Sequence, residues 1–446
     1  MFMYLFFFGI LVFKITPIVE SDIAYDSSVL NTSSSEVTYA YLVEDNVEAL
    51  AIRVALIETA TETIDISTYS SHPGESRDII YGSMLVAADN GIKVRYILDD
   101  FIEGRLSEDD AILQTLAAHE NITLYLYQPF KLTKPHATQN RLHDKLFIID
   151  QAYGLIGGRN IGDRYFVAED SYINGTYDRD VLVFGEGEHS TVKSMVAYYE
   201  ELVNSRFSRP RHADDSISDT KSKLLNAYHN YTITTNTALV MNNVHLEATQ
   251  VERATFLRSP LTQMKKDPVI MNTLIDLADD YNSLLVQTPY LIIDRHLGRM
   301  FSPLQDKNIT ILTNSYRTNP NVLAVSGYLR IRQDVAEQTT LYEYQGMNSI
   351  HAKTILMGDD ISVIGTLNID PRSAFLSTES MMVIYSEAFY DVTFEAINHY
   401  IDNSLIVEAD GSYQESDNVV AREITRSRNL RLHILKYVAW FFNDML

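Results

Sequence analysis

Arg141-Leu142-His143-Asp144-Lys145-Leu146-Phe147-Ile148-Ile149-Asp150, followed by Gly157-Gly158-Arg159-Asn160, is answered later in the chain. The second copy is Ser349-Ile350-His351-Ala352-Lys353-Thr354-Ile355-Leu356-Met357-Gly358, followed by Gly365-Thr366-Leu367-Asn368. In both, Lys stands two places after His, Gly fourteen and Asn seventeen. One His-x-Lys on a strand is an incidental exposed pair. Two copies with matching Gly and Asn are not a coincidence of composition. Residues i and i+2 of a strand share a face, so each copy aims an imidazole and an ammonium the same way. The apolar residues that follow run into a sheet and the chain turns back. The Gly lets backbones approach closely, and the Asn returns beside the His and Lys.

Facing each other, two such halves surround a phosphate with two His, two Lys and two Asn. That set suits phosphodiester cleavage. A neutral His attacks phosphorus and becomes a phosphohistidine. A protonated His opposite gives its proton to the leaving oxygen. Lys145, Lys353, Asn160 and Asn368 stabilise charge on the non-bridging oxygens. The set requires no metal and no cofactor. A nucleophilic His also needs a carboxylate to orient its other nitrogen. Within the second half the candidate is Glu379, beyond Asp370-Pro371-Arg372-Ser373. Within the first half it is Asp178, with Asp180 in reserve.

Outward from the motifs, the pattern is α/β. Ile64 to Tyr69 alternates like a strand, Ser76 to Asn90 has helical spacing, and Val94 to Leu98 is a further strand. The order recurs from Met271 onward, with a single helix expected over Asn321 to Glu337. Such alternation indicates a mixed, largely parallel sheet covered on both faces. The chain of 446 residues divides into two lobes related by duplication, with the active site at their interface. The expected boundaries are 43–207 and 245–405, joined by a polar connection over 208–244.

The ends differ from the body. Met1 to Phe13 is an apolar run of signal-peptide length, too short to span a membrane unaided. Residues 1–21 therefore read as a leader or an uncleaved anchor, and 22–42 as a Ser/Thr-rich linker. Either reading exports the rest of the chain to the cell envelope. In the tail, residues 406–446, Arg422, Arg426, Arg428 and Arg431 precede an apolar, aromatic helix that suits a membrane interface. There are no cysteines, which excludes disulfides, thiolate metal sites and a Cys nucleophile. Lys plus Arg number 36 against 59 Asp plus Glu, a formal charge of -23. That field counts against a nucleic-acid partner, which calls for a basic footprint.

These residues resemble the phospholipase D superfamily, whose signature is His-x-Lys-x4-Asp in two halves. Gly157-Gly158-Arg159-Asn160-Ile161-Gly162-Asp163-Arg164-Tyr165-Phe166 and Asn368-Ile369-Asp370-Pro371-Arg372-Ser373 look like the bacterial cardiolipin synthase C-type branch. The resemblance implies two phospholipase D-like α/β/α lobes. It implies phosphatidyl transfer between membrane phospholipids, with phosphatidylglycerol and a second lipid such as phosphatidylethanolamine as substrates. The site residues are then His143, Lys145, Asp150, Asn160, Asp178, His351, Lys353, Asn368 and Glu379. The second copy departs from the signature, with Gly358 where the first has Asp150. A bulge at that hairpin would let Asp359 substitute. Thr68-Tyr69-Ser70-Ser71-His72 is a second departure, since the branch usually carries aromatics there. Two other readings stay open: a secreted nuclease or phosphodiesterase, disfavoured by the charge, and a catalytically lapsed lipid-binding envelope protein, motivated by Gly358.

Overall fold

The computed structural model describes residues 6–12, 16, 18, 21–26, 30, 36–100, 107–129, 131–168, 175–185, 190–262 and 264–442. The first lobe is a nine-stranded sheet made of β1 (Thr38–Val43), β2 (Thr63–Thr68), β3 (Lys93–Asp99), β4 (Ile122–Tyr127), β5 (Leu146–Ile149), β6 (Tyr153–Gly157), β8 (Asp180–Gly185), β9 (Ser208–Arg211) and β10 (Thr249–Val251). A short β7 (Thr176–Tyr177) stands apart from it. The strand order is β10-β1-β8-β6-β5-β2-β3-β4-β9. The second sheet holds β11 (Arg253–Arg258), β12 (Ser283–Gln287), β13 (Asn308–Asn314), β14 (Thr340–Tyr344), β16 (Thr354–Met357), β17 (Ile361–Gly365), β18 (Ser380–Tyr385) and β19 (Ser404–Ile406), with β15 (Ser349–Ile350) outside it. Its order, β11-β18-β17-β16-β12-β13-β14-β19, repeats eight strands of the first. The duplication expected from the motifs is therefore a duplication of topology.

The sheets are less parallel than expected. Only β2, β3 and β4, and correspondingly β12, β13 and β14, run parallel to their neighbours. The motif hairpins β5–β6 and β16–β17 pair antiparallel, because so short a turn cannot return a parallel strand, and the outer strands are antiparallel as well.

The inner faces of the two sheets pack on each other. One core cluster joins Ile148, Ile156, Val181 and Val183 of the first sheet to Ile364, Met382 and Ile384 of the second. Helices α1 (Asn46–Thr59) and α2 (Glu75–Asp89) cover the outer face of the first sheet through Ile52, Leu56, Ile80 and Met84. Asp45 caps α1 by accepting from Glu48 N–H. Central strands are thus buried on both faces, which is why β8 and β18 read as unbroken apolar runs.

Residues 208–244 are not a free connection. β9 closes the edge of the first sheet beside β4. After α3 (Ser107–Ala117) and α4 (Ser190–Asn204), α5 (Ser218–Thr234) and α6 (Thr237–Glu247) return to the first lobe, burying Leu224, Tyr228, Met241 and Val244 in its core. The first lobe therefore extends through β10. Sparse apolar positions in a polar stretch hid these helices.

In the second lobe, α7 (Val269–Asp279) and α8 (Arg295–Met300) precede the region of the expected 321–337 helix, which is two short helices, α9 (Val322–Tyr328) and α10 (Arg332–Gln338). α11 (Pro371–Phe375) and α12 (Glu387–Ile401) complete the lobe. The tail helix α13 (Arg426–Phe442) packs on α9. It buries Leu432 and Ala439 and leaves Leu430, Ile434 and Tyr437 exposed. Much of the expected leader and linker lies outside the described residues. Of the rest, Ile18 is buried against the second lobe, and Tyr25 donates its N–H to Thr273 Oγ1. Among the described residues no helix is long and apolar enough to cross a membrane.

Candidate active site

The two His-x-Lys segments lie in extended chain just ahead of β5 and β16, not within the sheets. Their backbones pair instead across the lobe boundary. β15 runs parallel to β7, and His351 N–H donates to Tyr177 O at 2.6 Å. On the other side, Thr378 N–H donates to Arg141 O at 2.9 Å, and His143 N–H to Thr378 Oγ1 at 3.0 Å. Each histidine segment is thereby sewn to the carboxylate segment of the opposite lobe.

The carboxylates are consequently crossed. His143 Nδ1 lies 2.9 Å from both oxygens of Glu379. His351 Nδ1 lies 2.6 Å from Asp178 Oδ2. The expectation of pairing within each half is corrected. Sequence order suggested it, but docking of the lobes decides it. Asp180, the reserve candidate, is buried in an ion cluster with Arg53 at 2.8 Å and Arg159 at 3.0 Å. It holds the fold and leaves Asp178 to the histidine. The matched glycines are explained by close backbone approach: a Cβ on Gly157 would stand 2.4 Å from Arg179 O, and one on Gly365 2.3 Å from Ser380 O.

With Nδ1 of each ring engaged, Nε2 faces the pocket. That pocket, about 540 Å³, is lined by both His, both Asn, Glu379, Tyr69, Tyr165, Tyr290, Arg141 and Arg372, among others. The rings are 14% and 12% exposed, enough for a substrate to reach. Lys145 donates to His143 O at 2.6 Å. Lys353 donates to His351 O and lies 3.2 Å from its Nε2. Asn160 bonds Tyr165 OH at 3.1 Å, and Asn368 bonds Ser373 Oγ at 3.3 Å. In each amide the carbonyl oxygen is buried without a partner, so what an entering phosphate can use is the second N–H of the amide nitrogen.

Burial governs the electrostatics. It pushes Lys145 down to about 7 and Lys353 down to about 8, each helped or opposed by neighbouring charges. It also pushes Glu379 up to about 7, against the pull of Lys145 and Lys266. His143 falls well below its ordinary range through burial and the charges of Lys145, Lys353, Arg372 and Lys266. His351 falls to about 3 through burial and Lys353, with Asp178 opposing. Asp178 stays ionised despite burial, because Lys353 and His351 hold its carboxyl well below the usual range. Burial thus favours the neutral form of both imidazoles. An anion bound there would offset the lysine charges and let one imidazole take up a proton. His351, bonded to the firmly ionised Asp178, is the better placed.

Asp150 does not line the pocket. At φ +51° in the β5–β6 turn, its carboxylate accepts from Thr61 N (2.6 Å), Thr61 Oγ1 (2.8 Å), Glu62 N (2.9 Å) and Thr63 N (2.8 Å). It fastens the hairpin to the start of β2. Gly358 sits at the equivalent turn with φ +61°. The β16–β17 hairpin is as long as its counterpart, so there is no bulge, and Asp359 is exposed. Tyr281 fills the space instead, since a Cβ on Gly358 would meet its ring at 2.5 Å. The missing signature Asp is a loss of hairpin support, far less than a loss of chemistry.

Sequence reasoning missed four contributors. Tyr69 packs edge-on to His143 at 5.2 Å between ring centres, so the segment that departs from the branch still supplies an aromatic. Tyr165 and Tyr290 flank His351 at 5.9 and 6.1 Å. Lys266 stands behind Glu379, donating to Ser259 Oγ at 2.5 Å and to Ser377 O. Nothing in the spacing of Lys266 marks it.

The family described as Cardiolipin synthase, PLD-like domain matches residues 54–196 and 271–401. A protein of Helicobacter pylori with no characterised function is 27% identical over 438 residues, covering 85% of this chain and 84% of its own. Cardiolipin synthase C of Escherichia coli is 27% identical over 398 residues, covering 77% of this chain and 80% of its own. Among solved structures, phosphatidylserine synthase of Haemophilus influenzae superposes with a TM-score of 0.66 at 15% identity, over 94% of this chain and 99% of that one. That likeness shows the shared two-lobe fold.

Proposed function

This chain belongs to the cardiolipin synthase, PLD-like domain family, and from that premise we propose that it transfers phosphatidyl groups between membrane phospholipids through a phosphohistidine. The observation that carries the proposal is the crossed pair of His–carboxylate contacts converging on one pocket beside two buried lysines. His143 Nε2 attacks phosphorus. The bond from phosphorus to the leaving alcohol breaks, and His351 gives that oxygen its Nε2 proton. His351, now neutral, takes the proton of an acceptor hydroxyl as its oxygen attacks. The P–N bond then breaks and His143 is released. Lys145, Lys353 and the two Asn bear the charge on the non-bridging oxygens throughout. His143 is the nucleophile because Asp178 suits His351 to proton transfer.

Cardiolipin formation is the reaction that the relatives' names support, with phosphatidylglycerol and a second phospholipid as the proposed substrates. The neutral wall of Tyr165, Tyr290, Leu323 and Ala324, with exposed Leu430, Ile434 and Tyr437 on the neighbouring α13, supports a lipid substrate met at a membrane surface of the cell envelope. The test is incubation with vesicles of phosphatidylglycerol and phosphatidylethanolamine, with products read by mass spectrometry. Cardiolipin is expected. Phosphatidic acid alone would make the protein a hydrolase, and no turnover with bound lipid would make it a lapsed enzyme.

A further inference from the structure

Arg372 is a cation that the chemistry above does not use. It follows Pro371 at the start of α11 and stands half-buried in the pocket wall. Its Nη1 donates to Gln139 O at 3.2 Å and its Nη2 to Gln139 Oε1 at 3.1 Å, both neutral oxygens. Other buried arginines are neutralised: Arg141 by Asp99 at 2.8 Å, Arg159 by Asp180 at 3.0 Å, and Arg332 by Glu343 at 2.5 Å. Arg372 makes no ion pair among the described residues, although Asp370 and Asp99 exert a favourable field on it. A guanidinium keeps its charge when buried, and leaving it without an ion partner is costly unless an anion arrives.

The placement is one-sided. Arg372 acts on His143 and on Tyr69, the ring packed against His143. On the His351 side stand Tyr165 and Tyr290, and behind them Arg164, which donates to Thr176 Oγ1 at 2.9 Å; Arg372 lines the pocket that holds both histidines and Arg164 does not. Lys145 and Lys353 already serve the phosphate under attack. Arg372 therefore offers a fork for a second anion.

We propose that Arg372 forms a second phosphate subsite, which holds the acceptor lipid's own phosphodiester while that lipid's hydroxyl attacks the phosphohistidine. The proposal rests on the transfer reading above. An acceptor such as phosphatidylglycerol carries its phosphate three carbons from the attacking hydroxyl, whereas water and simple alcohols carry none. Anchoring that phosphate orients the hydroxyl and favours transfer over hydrolysis. The hydroxyl proton goes to His351 and the new P–O bond replaces the P–N bond to His143. The product then carries one phosphate in each subsite.

Two measurements test this on the full chain. The first is calorimetric binding of glycerol 1,3-bisphosphate and of glycerol 1-phosphate. Wild type is expected to prefer the bisphosphate by roughly 10- to 100-fold, the worth of one charged hydrogen-bonded contact, and Arg372→Gln to lose most of that preference. The second is the ratio of transfer to phosphatidylglycerol over transfer to ethanol, expected to fall in Arg372→Gln by a similar factor. Arg372→Lys, which keeps the charge, should retain the greater part of both, and melting curves check that the variants fold. An unchanged binding preference, or an equal loss with both acceptors, overturns the subsite. A protein that turns over no lipid but shows the Arg372-dependent preference for the bisphosphate would refute the transfer reading and leave the second anion subsite standing.

Discussion

Replacing Asp178 by Asn is expected to trap the phosphohistidine, and replacing Glu379 by Gln is not. Asp178 is fully buried and accepts from His351 Nδ1 at 2.6 Å. Losing a hydrogen bond to a charged group costs about 1.5–3 kcal/mol. At 1.36 kcal/mol per pKa unit, the imidazolium of His351 is weakened by about one to two units. An Asn amide can also donate to Nδ1, which places the ring proton on Nε2 and removes the base. The step that needs His351 as base should slow by roughly 10²–10⁴-fold. The assay uses a phosphatidyl ester of p-nitrophenol, whose leaving group departs without a proton. In Asp178→Asn, attack by His143 proceeds and deacylation-like release stalls. One equivalent of nitrophenolate then appears in a burst, and the quenched protein carries a phosphatidyl adduct that maps to His143. In Glu379→Gln the nucleophile itself loses its orienting partner, so the burst is slow and no adduct builds up. An adduct that accumulates in Glu379→Gln and not in Asp178→Asn would reverse the roles. No burst in either would refute covalent catalysis.

Other consequences follow from the same geometry. kcat/KM for an anionic substrate should decline as pH rises through about 7 to 8, because Lys145 and Lys353 lose their protons there in the free enzyme. Anion binding at pH 8 should correspondingly take up protons, seen as a buffer-dependent heat in calorimetry. Asp150→Asn should lower stability by about 1–2 kcal/mol, allowing for the partial exposure of its bonds, measured by denaturant unfolding. Because the Asp150 carboxyl is held below its ordinary range, its contribution is present above that range and lost as pH falls through it, so the variant's acid limb should be shallower. Gly358→Asp should destabilise by about 1–3 kcal/mol through collision with Tyr281. Adding Tyr281→Ser should recover most of the melting temperature.

The His-x-Lys pairs were legible because a strand-turn-strand with a returning amide forces a fixed spacing, and the chain writes that spacing twice. Asp178 and Glu379 were legible as candidates but not as partners. Their pairing depends on the β15–β7 contact and on the Thr378–Arg141 bond, both set when the lobes dock. The role of Asp359 was misread for a related reason: the Tyr281 ring that fills the space beside Gly358 comes from 77 positions before that glycine. Residues 208–244 were read as a connection because α5 and α6 bury few side chains each, too few to give a clear apolar stripe.

The central claim is that both halves build one site. It is tested most directly by the rate of phosphatidyl transfer in phosphatidylglycerol vesicles for His143→Ala and His351→Ala, each alone and each shown to be folded. A shared site predicts that either substitution lowers turnover by at least about 10³-fold, since residues acting as a unit fail together. Either variant keeping about half of the wild-type rate would mean that each half works by itself, and would contradict the account.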